Sequence, residues 1–167
     1  MKKVLISVIA LLVSTAYAGN NDIYITQTGT GLTLTIDQIG ATNVVGTSQT
    51  RAVLSGTSMT VDIDQIGSSN AIVASILQGN SSSWTYSNTG SSATATFAVG
   101  ATGDVANSDF DYTASGGDSN VLVWTQGAAA TATGGNQDFI ISGASNNINA
   151  TCEVVGCINN WDITGNS

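Results

Sequence analysis

The chain has 167 residues, enough for one domain, with 11 aspartates and glutamates, 3 lysines and arginines and no histidine. Charged residues make up 8% of it and apolar residues 42%. This balance argues against a chain that is disordered because its charges repel one another. Because the usual groups for acid–base and nucleophilic catalysis are missing, we expect no enzyme, no catalytic residue, no metal site and no cofactor.

The N-terminus has the pattern of a secretory signal peptide. Lys2 and Lys3 precede an apolar run over residues 4–13, and Ala16 and Ala18 form a small-residue cleavage site. We therefore expect residues 1–18 to be removed, leaving a mature chain 19–167 that is exported through the periplasm and secreted or held at the cell surface. The alternative, a membrane anchor, is disfavoured because the run is shorter than the roughly 20 residues of a span.

Removal of this peptide would leave a strongly acidic protein. Arg51 would be the only basic residue against 11 acidic ones, so the mature net charge is 1 − 11 = −10. Phosphate binding needs lysine and arginine, and we therefore expect neither nucleic-acid binding nor a membrane span after cleavage.

Short strands separated by glycine and asparagine follow in chain order, and no long stretch after residue 18 has a helical apolar period. Residues 44–56 are poorly patterned and are interpreted as a weak strand or a loop. Residues 107–120 keep the pattern one residue out of phase, which predicts a β-bulge. Residues 128–135 are interpreted as a strand of small residues or a loop. The other predicted copies and strands span residues 22–29, 34–43, 59–70, 71–79, 84–90, 93–100, 121–127, 139–146, 152–159 and 161–165.

One phrase is repeated in full: apolar, any, apolar, any, Gln, any, Gly, any, any, Asn. It is carried by Leu34, Ile36, Gln38, Gly40 and Asn43, and again by Val61, Ile63, Gln65, Gly67 and Asn70. Repeats with a constant spacing tend to stack on one another. We therefore predict an all-β fold, a β-solenoid with two strands per rung and about five to six rungs.

The alternation of the phrase predicts which side chains face inward. Leu34, Ile36, Val61 and Ile63 are the predicted core, and period 2 places Gln38 and Gln65 on the same inward face. Stacked glutamines can hydrogen-bond to one another, as can Asn43 and Asn70 at the turn, so both sets are predicted to form structural ladders. Gly40 and Gly67 are predicted to supply a positive φ and room at the corner. Asp37, Asp62 and Asp64 point outward.

The phrase resembles the repeat of curlin subunits, secreted bacterial proteins that polymerise into curli amyloid fibres. Two copies match it fully and about four match it in part, over most of residues 19–167. The resemblance implies a secreted structural or adhesive protein of a biofilm matrix, whose partner is itself through end-to-end stacking. The alternative is a monomeric β-solenoid that binds ice, glycan or a cell surface.

Cys152 and Cys157 are the only cysteines. In an oxidising compartment two cysteines predict a disulfide, here one that closes a short loop. Free thiols and a metal site are the alternatives, and a metal would need more ligands than this pair supplies.

Other residue sets admit a functional and a plain interpretation. Aspartates at 104, 109, 111 and 118 suggest either a calcium site or a solvated acidic loop. Thr-x-Thr pairs at 33–35, 94–96 and 131–133 suggest an ice-binding array or ordinary strand propensity. Aromatic residues suggest sugar stacking, core filling or an end cap: Trp84, Tyr86, Tyr112, Trp124 and Trp161. Asn80 and Asn149 match a glycan acceptor pattern, which we interpret as chance.

Overall fold

The structure is a computed structural model that describes residues 20–100, 103–127, 132–133, 136–153 and 159–165. The predicted signal peptide, residues 1–18, lies outside the described residues. All regular structure in the described part is strand, which confirms the all-β prediction. The strands are β1 (Asn20–Ile23), β2 (Thr26–Thr28), β3 (Thr33–Val45), β4 (Ala52–Ser55), β5 (Thr60–Gln78), β6 (Ser83–Val99), β7 (Val105–Ala106), β8 (Asp109–Gln126), β9 (Ala132–Thr133), β10 (Gln137–Cys152) and β11 (Asn159–Thr164).

Every strand pairs in parallel with the strand one rung away, so the chain coils into a β-solenoid of about five turns. The order along the solenoid is β1-β3-β5-β6-β8-β10-β11, which follows the sequence. A parallel arrangement needs a crossover between paired strands, and here the remainder of each coil supplies it. The predicted solenoid is therefore confirmed, at the lower end of the expected number of rungs.

Each long strand bends at a glycine corner, which divides the rung into two limbs. In β5 the first limb is residues 60–66, the corner is Gly67, and the second limb is residues 69–78. Strand pairing continues on both sides of the corner, so the expected break between two separate strands is absent. The poorly patterned residues 44–56 contribute the end of β3 and the strand β4, which completes the second limb of its rung beside β5.

The register follows the repeated phrase. Thr33 lies opposite Thr60 and Gly40 opposite Gly67, and the same frame continues to Gly90 in β6. A register shift separates β6 from β8 at this corner, and Gly116 there has a φ of 81°. This irregularity is the bulge that the out-of-phase pattern of residues 107–120 predicts, since one strand carries an extra residue.

The core lies between the two limbs and is filled by alternate residues. Ile36, Val61 and Ile63 are buried, and Leu34 is half-buried because it lies near the end of the solenoid. The second limbs contribute alternate residues too, and in β6 these are Ala93, Ala95, Phe97 and Val99.

Two details of the sequence interpretation are wrong. Gly40 and Gly67 do not have a positive φ, which occurs instead at glycines 29, 31, 46, 100, 116 and 127. The supposed copy at residues 152–159 is also wrong, although residues 154–158 lie outside the described part. Cys152 ends the second limb of β10 beside Gln126, and Asn159 pairs with Gln137 instead of continuing the asparagine column. The true final copy is the 161–165 fragment.

Candidate functional site

A column of polar side chains runs through the solenoid interior at the predicted glutamine position. Gln65 Nε2 donates to Gln38 Oε1 at 2.7 Å, and Gln38 Nε2 donates to the Asn21 carbonyl at 2.8 Å. Both glutamine side chains are buried, at 0% and 3% exposure for Gln65 and Gln38. A buried amide left without partners costs roughly 1–3 kcal/mol, so this stacking is what makes an interior glutamine tolerable.

The glutamine column ends on a tyrosine. Tyr86 lies in the next rung beside Ile63, and its hydroxyl donates to Gln65 Oε1 at 2.5 Å. Asn88 occupies the glutamine position there and donates to the Tyr86 hydroxyl at 3.2 Å. Burial raises the pKa of the Tyr86 hydroxyl, with the nearby Tyr112 as a second cause, so this group stays protonated and remains a donor.

Beyond Tyr86 the interior becomes aromatic. Tyr86 stacks on Tyr112 with ring centroids 5.3 Å apart, and Phe139 stacks on Trp161 at 4.0 Å. Trp84 and Trp124 are buried in the core at 3% and 1% exposure. The core-filling interpretation therefore applies to these two tryptophans, and neither is available to stack on a sugar.

The asparagine column lies at the corner and has one direction of donation. Asn21 Nδ2 donates to Asn43 Oδ1, and Asn43 Nδ2 donates to Asn70 Oδ1, each at 2.9 Å. Ala93 interrupts the column, and it resumes where Asn120 Nδ2 donates to Asn146 Oδ1 at 3.0 Å. In both segments the amide nitrogen points toward the C-terminal end of the solenoid.

Glycine is required at the corner by close approach of the rungs. A Cβ added to Gly67 would collide with the carbonyl oxygen of Gly40 and lie 2.9 Å from Asn43 Nδ2. Gly90 has the same relation to Gly67 and to Asn70. The corner glycines therefore leave room for the asparagine column, as predicted, although Gly40 and Gly67 do not have the predicted positive φ.

The outward side chains of the first limbs form an acidic face. Stacking in register brings Asp37 beside Asp64, and the neighbouring column holds Asp62. Partial burial raises the pKa of the Asp62 carboxyl, and the charges of Asp64 and Asp37 raise it further. Burial, Asp138 and Asp109 likewise raise the pKa of Asp111. Among the described side chains, seven aspartates lie on the acidic face: Asp37, Asp62, Asp64, Asp109, Asp111, Asp138 and Asp162.

The outward side chains of the second limbs form a different surface, the uncharged face. It presents β-branched and small side chains in columns that follow the rungs. None of its central residues is charged: Val44, Ala71, Val73, Thr94, Thr96, Ala98, Val121, Val123 and Thr125. Thr33 and Thr35 lie on the acidic face and Thr94 and Thr96 on the uncharged face, so the Thr-x-Thr pairs do not form one array. Thr131 lies outside the described residues.

The two ends of the solenoid have incomplete cores. The six half-buried apolar residues that pack against the core all lie in the terminal rungs, and none lies in the middle. Four are at the N-terminal end and two at the C-terminal end: Ile23, Ile25, Leu32, Leu34, Ile148 and Trp161. No single sequence motif marks these residues, because their exposure results from where the stack ends.

Cys152 is disulfide-bonded. Cys157 is the only other cysteine in the chain, but it lies outside the described residues, so the 152–157 pairing stays a prediction.

The calcium candidates do not converge in the described part of the chain. Asp109 and Asp111 point outward from β8, Asp104 is exposed before β7, and the side chain of Asp118 is not described. Within the described ranges there is no group of three or more acidic, cysteine or histidine residues that could hold a metal ion. Of the glycan-pattern asparagines, Asn149 is exposed, whereas Asn80 accepts a hydrogen bond from the Ala106 amide at 2.8 Å.

Comparison with known proteins adds no assignment: no family model, no curated protein and no solved structure matches this chain. A search of the described residues finds no helix long and apolar enough to cross a membrane.

Proposed function

We propose that this protein is a secreted structural subunit that polymerises end to end into extracellular fibres with an adhesive or matrix role. The observation that carries the proposal is the incomplete core at both ends, which leaves Ile148 and Trp161 at one end and Ile23 and Leu34 at the other only half-buried. Stacking a further rung on each end would cover these side chains, at about 25 cal/mol for each Å² of apolar surface removed from water.

The backbone supports the same proposal. A strand at the edge of a sheet presents unpaired N–H and C=O groups, and a parallel solenoid has such an edge at each end. Cross-strand columns of identical amides, such as Gln38 with Gln65, are a feature of fibrous cross-β assemblies. The resemblance of the repeated phrase to that of curlin subunits points to the same function, and to export through the predicted signal peptide.

Electron microscopy of the purified chain from Gly19, incubated at high concentration, tests the proposal. We expect unbranched filaments whose fibre diffraction shows a strong meridional reflection near 4.7–4.8 Å, the spacing of stacked strands. A protein that remains monomeric for days, without filaments, would contradict it.

The uncharged face supports a second candidate, a monomeric module that binds ice through a flat surface. Its central columns combine threonine with valine and alanine, including Thr94 and Thr96, and Asp22 adds a charge to them only at the N-terminal end. Thermal hysteresis in the monomeric protein, lost when Thr96 is changed to Glu, would support this function. Its absence in concentrated solution would remove the candidate.

A further inference from the structure

Among the described residues, the first and last rungs of the solenoid are both half-rungs, and they cover opposite limbs. At the N-terminal end, β1 pairs with residues 42–45 of β3, and β2 pairs with β4. Both lie on the second limb, so no strand of the described residues pairs with residues 33–41 of β3 on that side. At the C-terminal end, β11 pairs with residues 137–142 of β10, which belong to the first limb. No strand of the described part pairs with residues 145–151 of β10 on the side away from β8.

We propose that these half-rungs interlock, so that β11 of one copy and β1–β2 of the next copy together form one shared rung. The partner is a second copy of this chain in the same orientation. This inference rests on the proposed polymerisation and specifies its interface. Each half-rung fills the space that the other leaves open, so the junction has the geometry of an internal rung boundary.

The register of the junction follows from the registers on either side. Asn21 pairs with Asn43, and Asn146 occupies the same column in β10, so Asn21 of the incoming copy lies over Asn146. The same step places Ile23 of the incoming copy over Ile148. On the first limb, Trp161 occupies the column of Ile36, and its outer ring face would meet the Ile36 of the incoming copy.

The asparagine column supports the head-to-tail orientation. Asn146 Oδ1 accepts from Asn120, so the amide nitrogen of Asn146 faces the C-terminal end, where it donates to the Thr164 carbonyl at 3.3 Å. At the other end, Asn21 Oδ1 accepts no hydrogen bond from the described residues, while its nitrogen donates to Asn43. A donor therefore meets an acceptor in a head-to-tail stack. A head-to-head stack would bring two Asn21 oxygens together instead.

Mixed single-cysteine variants test the register directly. Asp22 and Asn147 are both exposed and occupy one outward column, so they become neighbours across the proposed junction. Adjacent strands lie about 4.8 Å apart, and a disulfide accepts Cα separations of about 4.4–6.8 Å. The chains from Gly19 carrying Asp22→Cys and Asn147→Cys would be mixed, incubated and oxidised with the native disulfide intact. Cross-linked peptides would be identified by mass spectrometry.

Asn149→Cys is the matched control, because Asn149 is also an exposed asparagine on the same face of β10. It lies two residues further along the strand, an additional offset of about 6.6 Å. We expect the Asp22 variant to cross-link to position 147 at least about tenfold more than to position 149, since the longer separation exceeds the reach of a disulfide. A second pair, Thr35→Cys with Asn160→Cys, should cross-link in the other half of the same junction.

The outcomes separate this inference from the proposed function. If filaments form but the Asp22→Cys variant cross-links equally, or not at all, to positions 147 and 149, the interlocked half-rungs are overturned and polymerisation is still supported. Cross-linking confined to 147 in short oligomers without filaments would support the interlock and overturn the fibre function. Monomers with neither cross-links nor filaments would overturn both.

Discussion

At the scale of single residues, this solenoid depends on side chains that are polar and yet buried. Gln65 is fully buried, donates to Gln38 and accepts from Tyr86. Such a group stabilises the fold only when each neighbour is present, because a buried partner left unpaired bears its full desolvation cost. Tyr86 occupies the neighbouring column of Ile63, where it satisfies the last glutamine and stacks on Tyr112, whereas the amide column continues to Asn88 and becomes apolar at Ala114.

Changing Gln65 to Ala tests this dependence. We expect the free energy of unfolding to fall by about 1–3 kcal/mol, because Gln38 Oε1 and the Tyr86 hydroxyl lose their partner. Urea denaturation followed by circular dichroism would measure the loss. Gln49→Ala is the control, since Gln49 is exposed and its side chain accepts only from the neighbouring Ser48. Equal stability of the two variants would show that the interior column does not stabilise the fold.

At the scale of elements, each strand contributes an outward column whose charge depends on what stacks beside it. Asp62 and Asp111 lie on the acidic face, where partial burial raises their carboxyl pKa values and the charges of nearby aspartates raise them further. A raised pKa in the folded state means that the ionised carboxylate is disfavoured by folding. The negative charge that favours solubility of the protein therefore opposes the stacking of these strands.

This opposition predicts a pH dependence. As the pH falls from 7 through the raised folded pKa values, the native state binds protons before the unfolded state does, so stability should rise. The gain should be complete below the ordinary value of 3.8. Asp62→Asn should raise the Tm at pH 7 and leave it unchanged at pH 3. Asp104→Asn, outside the acidic face, is the control in thermal melts at both values. An Asp62→Asn variant that is less stable at pH 7 would contradict the argument.

At the scale of the whole molecule, charge is distributed unevenly over the solenoid. Among the described side chains, the acidic face carries seven aspartates, the uncharged face has none in its centre, and the ends combine apolar side chains with strand edges that no described strand pairs. Copies that approach side by side through acidic faces repel one another. End-to-end contact buries apolar surface and pairs backbone groups, so the distribution favours growth along the solenoid axis.

Salt should accelerate this growth. In the proposed junction Asp162 occupies the column of Asp37, and like charges directly opposite on neighbouring strands are destabilising. Raising ionic strength from 0.01 to 0.15 M shortens the screening length from about 30 to about 8 Å, so seeded elongation should become several-fold faster. Light scattering would follow the rate. Asp162→Asn should weaken this salt dependence more than Asp104→Asn, which removes the same charge elsewhere. Identical salt dependence in both variants would contradict the junction.

The sequence alone determined the architecture, because the phrase ending in Gln65, Gly67 and Asn70 occurs in full twice and in part in later rungs. Period-2 alternation settled which residues face inward, and the out-of-phase copy before Asn120 indicated the bulge. These inferences need only neighbours along the chain and one spacing.

Only the tertiary structure decided how the copies meet and where the stack ends. A positive φ occurs at Gly116 and not at Gly67. Glycine is required at Gly67 by close approach between rungs, and not by a left-handed turn. The last rung is β11 and not the 152–159 segment, because strand pairing, which the local pattern does not record, aligns Trp161 with Phe139. The half-rungs at the two ends are likewise a property of the whole stack: a side chain such as Ile148 is half-buried because no further described strand lies beside it.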